Sequence, residues 1–210
     1  MIAEAAFASF IAALFSMMNP VGNVGVFAGM TTDRPETEAG RIAWTCAGAV
    51  AITLLIVAWS GALLLGFFGI TIDSLRAAGG VIVLLIGLQM LSNKSEHKGS
   101  AAETEDAKSR PSIAVVPLAI PMVAGPGTMA TVLVAAQQHP SVLSKVEISI
   151  VIMVLAALCG LMFSFATPIS KRLGAAGMGV VTHVMGMILA AIAVGMLADG
   201  LKGLLPGLAG

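Results

Sequence analysis

The sequence predicts an all-α, polytopic membrane bundle of six transmembrane helices, arranged as two inverted three-helix repeats with discontinuous helices 1 and 4. Three observations predict it. Hydrophobic residues make up 58% of the 210 positions and charged residues only 10%, with a mean hydropathy of +0.99; a soluble domain carries about 25% charge. Several apolar runs reach the roughly 20 residues with which a helix crosses a bilayer. Two of those runs are interrupted at corresponding places, by Asn19-Pro20 and by Gly125-Pro126-Gly127.

Helix 1 is expected over residues 3–30, broken at Asn19-Pro20. Its apolar run has no basic segment before it and no clear cleavage site after it, so it reads as a first span rather than a removed signal peptide. Helix 2 covers 41–68, and the link "GITIDS" leads to helix 3 at 75–92. The charged stretch 93–112 reads as a solvated loop between the halves. Helix 4 covers 113–137 with its break at 125–127, helix 5 covers 147–167 and is closed by Pro168, and helix 6 covers 178–201. The chain is thus one transmembrane domain, 1–210, with repeat 1 at 1–92 and repeat 2 at 113–210.

The repeat shows in the spacing. Pro20 and Pro126 are 106 residues apart, and Arg76 and His183 are 107 apart, each opening the third helix of its half. Three spans per half force the second half to enter the membrane from the opposite face, which inverts it. Basic residues set the direction. With the N-terminus outside, eight of the eleven Lys and Arg fall on inside loops: Arg34, Arg41, Lys94, Lys98, Lys108, Arg110, Lys171 and Arg172. Both termini are therefore expected outside the cell membrane.

The breaks carry the chemistry. Proline removes a backbone donor and biases the residue before it away from helical geometry. Asn19 is then suited to cap a half-helix starting at Pro20, and Gly22 and Gly25 leave room for close approach. Gly125, Pro126 and Gly127 break helix 4, and Thr128 stands in the new first turn. Each second half-helix starts with unpaired N–H groups and a partial positive charge. Two such starts meeting near mid-membrane make a small electropositive site that can hold a carboxylate without an arginine. Asn19, Asn23, Thr128 and Thr131 can add hydrogen bonds.

No Asp, Glu, Lys or Arg falls mid-span. Asp73, Arg76, His183, Asp199 and Glu4 all lie near helix ends. A permeating metal ion would call for carboxylates and a strongly charged solute for a counter-charge, so a small neutral or zwitterionic solute fits better. Arg76 either pairs with Asp73 or turns inward to a substrate; His183 is either a packed, hydrogen-bonded residue or a proton relay. If protons drive the process, Asp73, His183 and Asp199 are the candidates. Gln89 and Thr53 suit interhelical hydrogen bonds, and Gly79, Gly80, Gly87, Gly186 and Gly195 suit tight helix packing.

Cys46 and Cys159 lie in apolar sequence and are expected as reduced, packed thiols. No metal site, cofactor or enzyme is expected: the chain lacks CxxC, HExxH and Walker-type signatures and offers no Ser–His–Asp set. A net charge of zero suggests no nucleic-acid partner. The expected partners are the lipid bilayer, a small-molecule substrate and, without a specific signal, further copies of the chain.

The stretches "NPVGN" at 19–23, "FGITIDSLRAAGGVIVLLIGLQML" at 68–91 and "IAVVPLAIPMVAGPGTMATV" at 113–132 resemble the MarC family of bacterial inner-membrane proteins. That family is similar to small neutral amino acid transporters. The resemblance implies a carrier for solutes such as glycine and alanine, with Asn19, Pro20, Gly22, Gly125, Pro126, Gly127 and Thr128 at its centre. Arg76, Gly79 and Gly80 match the third-helix motif. Val24 stands where the family often has Pro, and His183 where it often has Arg, which weakens any mechanism based on paired arginines. A passive channel for small neutral solutes and a non-transporting membrane scaffold are the alternatives.

Overall fold

A computed structural model describes residues 4–31, 34–92, 114–205 and 207. The expected connector at 93–112 lies outside the described residues. The described chain is helical and contains no strand: α1 (Glu4–Met18), α2 (Pro20–Thr31), α3 (Glu36–Phe68), α4 (Ile72–Leu91), α5 (Ala114–Val123), α6 (Pro126–Gln138), α7 (Val142–Ser164) and α8 (Ala166–Leu204).

Among the described residues, five stretches are long and apolar enough to cross a membrane: Ala6–Thr31, Glu36–Gly61, Ile72–Leu91, Val142–Ser164 and Ala176–Leu204. The expected helix 4 is not among them. It folds as two short pieces of 10 and 13 residues, α5 and α6. α5 is wound as a π-helix, and its i→i+5 pattern closes with Ala124 N–H donating to the Ala119 carbonyl at 2.8 Å. Its sequence carries Pro117 and Pro121, each lacking the N–H that an α-helical ladder would use.

Local chemistry accounts for the other shifted boundaries. α3 begins at Glu36 rather than residue 41 because Pro35 precedes it, Glu36 and Glu38 fill its first turn, and Arg34 pairs with Glu38. α3 ends in a Schellman-type turn, with Gly69 at φ +65° and Ile70 N–H donating to the Leu65 carbonyl at 3.0 Å. Thr71 caps α4 through Ser74 N–H at 3.1 Å, and Ser141 caps α7 through Ser144 N–H at 3.2 Å. Pro168 does not close the fifth span. The chain turns at Phe165, and Pro168 sits in the first turn of α8, where a missing N–H costs little. α8 is itself interrupted at Gly174, whose φ of +64° and ψ of 179° separate a short leading segment from the span.

The largest interhelix contact joins α4 to α8, and the next joins α3 to α7. Glycine makes the first possible. A Cβ on Gly80 would fall 2.8 Å from the Leu197 nitrogen, and one on Gly87 2.9 Å from both the Ala190 nitrogen and the Gly186 oxygen. On the other side, a Cβ on Gly200 would fall 2.5 Å from the Ala77 nitrogen. Positions rise on α4 as their partners fall on α8, so the helices run antiparallel. Contact residues recur every seven positions on both, at 73, 80, 87 and at 186, 193, 200. This is a small-residue seam of the kind that lets membrane helices touch backbone to backbone. Gly195 does not join it, since a Cβ there would meet nothing within 4 Å.

α3 and α7 also run antiparallel. Gly160 packs against Ala47 and Trp44, while Trp59 Nε1 donates to Ser149 Oγ at 3.1 Å. The main buried cluster draws Leu14 and Met18 from α1, Phe27 from α2, Val50 and Leu54 from α3, Leu118 from α5 and Ile152 and Phe163 from α7. Phe27 and Phe163 stack with centroids 4.9 Å apart. Cys46 and Cys159 are buried, free thiols in this cluster. Large apolar side chains such as Ile52, Leu63, Leu85 and Val154 face outward, as lipid-facing positions do.

The seam yields a stability prediction. Gly80→Ala must push α4 from α8 and is expected to cost about 1–3 kcal/mol, read as a lower midpoint of thermal unfolding in detergent. Gly48→Ala, on an open face of α3, is expected to leave that midpoint unchanged or raise it.

Candidate functional site

Both breaks exist, and both solve the same problem. At the first, Asn19 takes a left-handed conformation, φ +46°, the single positive φ among described non-glycine residues. Its own N–H still donates to the Phe15 carbonyl at 3.0 Å, and its carbonyl accepts from Asn23 N–H at 3.0 Å. Its side-chain Oδ1 accepts from Gly22 N–H at 3.2 Å, the expected cap. Gly22 is glycine for this reason: a Cβ there would sit 2.5 Å from Asn19 Oδ1. The room expected for backbone approach is occupied by the capping amide. Gly25 instead faces the methyl of Met178 on α8, 2.9 Å from where its Cβ would be.

Across that break, Asn23 Nδ2 donates to the carbonyl of Met18, the last residue of α1, at 3.1 Å. The second break repeats the device. Thr128 Oγ1 donates to the carbonyl of Val123, the last residue of α5, at 2.8 Å. Each bond reaches five residues back and satisfies a carbonyl left behind where the ladder stops. Thr131 is a half-buried neighbour whose hydroxyl donates to the Gly127 carbonyl at 2.9 Å.

The breaks differ at their caps. Gly125 is the N-cap of α6, with φ −77° and ψ 176°, and Pro126 follows in the first turn. Glycine has no side chain, so nothing equivalent to Asn19 Oδ1 covers the N–H groups of Gly127 and Thr128 from the cap position. Gly125, Gly127 and Thr128 are buried, as are Asn19, Pro20 and Gly22; Asn23 is half-buried and Pro126 exposed.

The two breaks come together through α1 and α4. The position of a Cβ on Gly127 is occupied by Val83 Cγ2 of α4, and Met17 Sδ of α1 lies 3.4 Å from it. Met17 is two residues before Asn19. Seven residues after Val83, Met90 Sδ accepts from Asn19 Nδ2 at 3.7 Å. Met17, Val83, Leu189 and Ala193 form a small apolar cluster of their own, with Met90 and Met196 packed on it. Sequence reasoning missed Met17, Val83 and Met90; their apolar character looks like ordinary packing until the tertiary contacts are known.

The ionisable candidates lie apart from the breaks. Arg76 sits 3.9 Å from Asp73, with its side chain 18% exposed. The Asp73 carboxyl lies against Gly203, near the end of α8. His183 Nδ1 donates to the Gly179 carbonyl at 2.7 Å, one turn back on α8. That bond puts the proton on Nδ1 in the neutral ring and leaves Nε2 as the acceptor. Asp199 is exposed, and so is Gln89. A separate cavity of about 510 Å³ opens at the start of α3, lined by Arg34, Glu38 and Arg41 among others. It is not at the breaks. No group of three or more His, Cys, Asp or Glu residues able to hold a metal occurs among the described residues.

Residues 4–205 match the family described as "MarC family integral membrane protein". Similar chains include the UPF0056 membrane protein YhcE of Escherichia coli, 36% identical over 95% of this chain and 93% of its own length. The UPF0056 membrane protein YvbG of Bacillus subtilis is 37% identical, covering 92% of each. The archaeal UPF0056 membrane protein MJ1677 of Methanocaldococcus jannaschii is 37% identical over 91% of this chain and 94% of its own. No solved structure matches the chain significantly.

The bridge across the second break is testable by itself. Thr128→Val keeps the shape and removes the donor, leaving the Val123 carbonyl unmatched; a loss of about 1–3 kcal/mol is expected. Thr128→Ser retains the donor and should recover most of it, both read by thermal unfolding in detergent.

Proposed function

The chain belongs to the MarC family of integral membrane proteins, and on that premise we propose that it transports small neutral amino acids such as glycine and alanine. The observation that carries this reading is the buried start of α6, which lacks a side-chain cap and abuts the first break through Met17. The N–H groups of Gly127 and Thr128 receive the solute carboxylate, aided by the positive end of the helix. Among the described residues Asn19 Nδ2 is held by a thioether alone, a weak acceptor, and a carboxylate displaces it readily. Thr128 Oγ1 spends its hydrogen on Val123, which leaves its lone pairs for the solute ammonium. A zwitterion fits donors and acceptors together without a charged side chain.

The same reading makes the fold an inverted repeat of six spans, with α5 and α6 as the divided fourth. Several contacts support it. α3 packs antiparallel on its counterpart α7, and α4 on its counterpart α8. α6 packs on α4 as α2 packs on α8. The bridging pairs Asn23–Met18 and Thr128–Val123 are offset by 105 residues. Divided helices at a repeat interface are a recurrent way to build a mid-membrane site, with one repeat-derived bundle rocking against the other. The reading takes the bacterial inner membrane from the resemblance to the family, and the basic-residue count favours both termini outside. In this reading Arg76 and Asp73 hold the end of α4 against α8, and His183 and Asp199 remain the candidates for proton coupling.

Purified protein in proteoliposomes is expected to take up radiolabelled glycine and alanine saturably and with counterflow. Asn19→Ala should reduce uptake roughly 10- to 100-fold, the worth of a hydrogen bond to a charged group. Gly127→Leu should abolish it. Normal uptake by both folded variants would sink the broken-helix site, and uptake without counterflow would make the protein a channel.

A further inference from the structure

We infer that Val83 of α4 sets the upper size limit of the solute, an inference that rests on the reading of the α6 start as the carboxylate site. Side chains on a helix tilt toward its N-terminus. The place of a Cβ on Gly127 is therefore beside the N–H groups of the first turn of α6, and Val83 Cγ2 fills that place. A solute whose carboxylate lies on those N–H groups turns its α-carbon substituent toward Val83 and Met17.

The two walls differ in stiffness. Met17 is unbranched and rearranges at little cost. Val83 is β-branched and rigid at χ1, and it is only 3% exposed. Its backbone is also pinned. Gly80 stands three residues before it and Gly87 four residues after, and both touch the α8 backbone directly. Val83 cannot retreat from Gly127 unless α4 and α8 move together. A further contact, between the Cβ position of Gly79 and Ala130 Cβ at 3.1 Å, holds α4 to α6 one turn along.

A rigid branched side chain over a helix start admits a hydrogen or a methyl substituent and rejects a larger one. Discrimination by one or two carbon atoms in such a pocket amounts to roughly tenfold or more. The limit is thus a property of α4, while the carboxylate is recognised by α6.

The test compares proteoliposomes containing the full chain, Val83→Ala, Val83→Ile and Leu133→Ala. Leu133 is on α6 but packs at Gly61 of α3, so its truncation loosens the same helix away from the break. Uptake of glycine, alanine, 2-aminobutyrate and valine is measured, with folding checked by monodisperse gel filtration. Val83→Ala is expected to raise the ratio of 2-aminobutyrate to alanine roughly tenfold. Val83→Ile should lower the ratio of alanine to glycine, and Leu133→Ala should change neither. Unchanged ratios in folded Val83→Ala, or an equal shift in Leu133→Ala, overturn the size limit while leaving the transport reading intact. Absence of uptake by the unsubstituted protein overturns both.

Discussion

A helix that stops inside hydrocarbon must find new partners for the carbonyls and amides its ladder no longer serves, because lipid supplies none. The rest of this structure depends on how that requirement is met. Pro20 and Pro126 remove the donors; Asn23 and Thr128 return one each, to the last carbonyl of the preceding helix. The polar side chains at the breaks are therefore committed first to the backbone. What remains over is small: a weakly held amide at Asn19, hydroxyl lone pairs at Thr128, and the bare start of α6. A solute site assembled from these leftovers of backbone repair, as proposed, would suit small solutes with few polar groups.

The second organising contact is the glycine seam between α4 and α8. It fixes the height of α4 to within a backbone contact distance, and α4 is the helix that touches both breaks, through Val83 and Met90. Packing and site geometry are consequently one problem. Residues 80 and 87 look remote from any chemistry, yet they decide where residues 83 and 90 stand. Interiors this closely packed transmit displacement rather than absorb it.

How much of this was legible in the sequence follows from the range of each effect. Proline and glycine act on their own peptide units, so both breaks and the cap by Asn19 could be read from the local sequence alone. The pairing of Arg76 with Asp73 needed only helical spacing. The early start of α7 was readable in principle, since Ser141 precedes the apolar run as a capping residue, but the polar Lys145 and Glu147 obscured it. The division of the expected fourth span went further than anticipated because Pro117 and Pro121 fall one turn apart, and a single turn cannot show whether a helix kinks or winds as π. Val83, Met17 and Met90 were invisible for a different reason. Their roles arise from contacts across 44 to 110 positions of chain, and an apolar residue carries no mark of which neighbour it will meet.

The unequal caps have a further consequence. At the first break the acceptor that covers Gly22 N–H is covalently tethered to the same turn, so its effective concentration there is on the order of millimolar or higher. Any other acceptor at that end would compete with this tethered one. At Gly127 and Thr128 no such acceptor is attached to the cap residue. Two half-helices alike in length and dipole thus start differently: the first turn of α2 carries its own acceptor in Asn19 Oδ1, whereas the first turn of α6 has no such acceptor at its cap and is packed by the apolar Val83 and Met17.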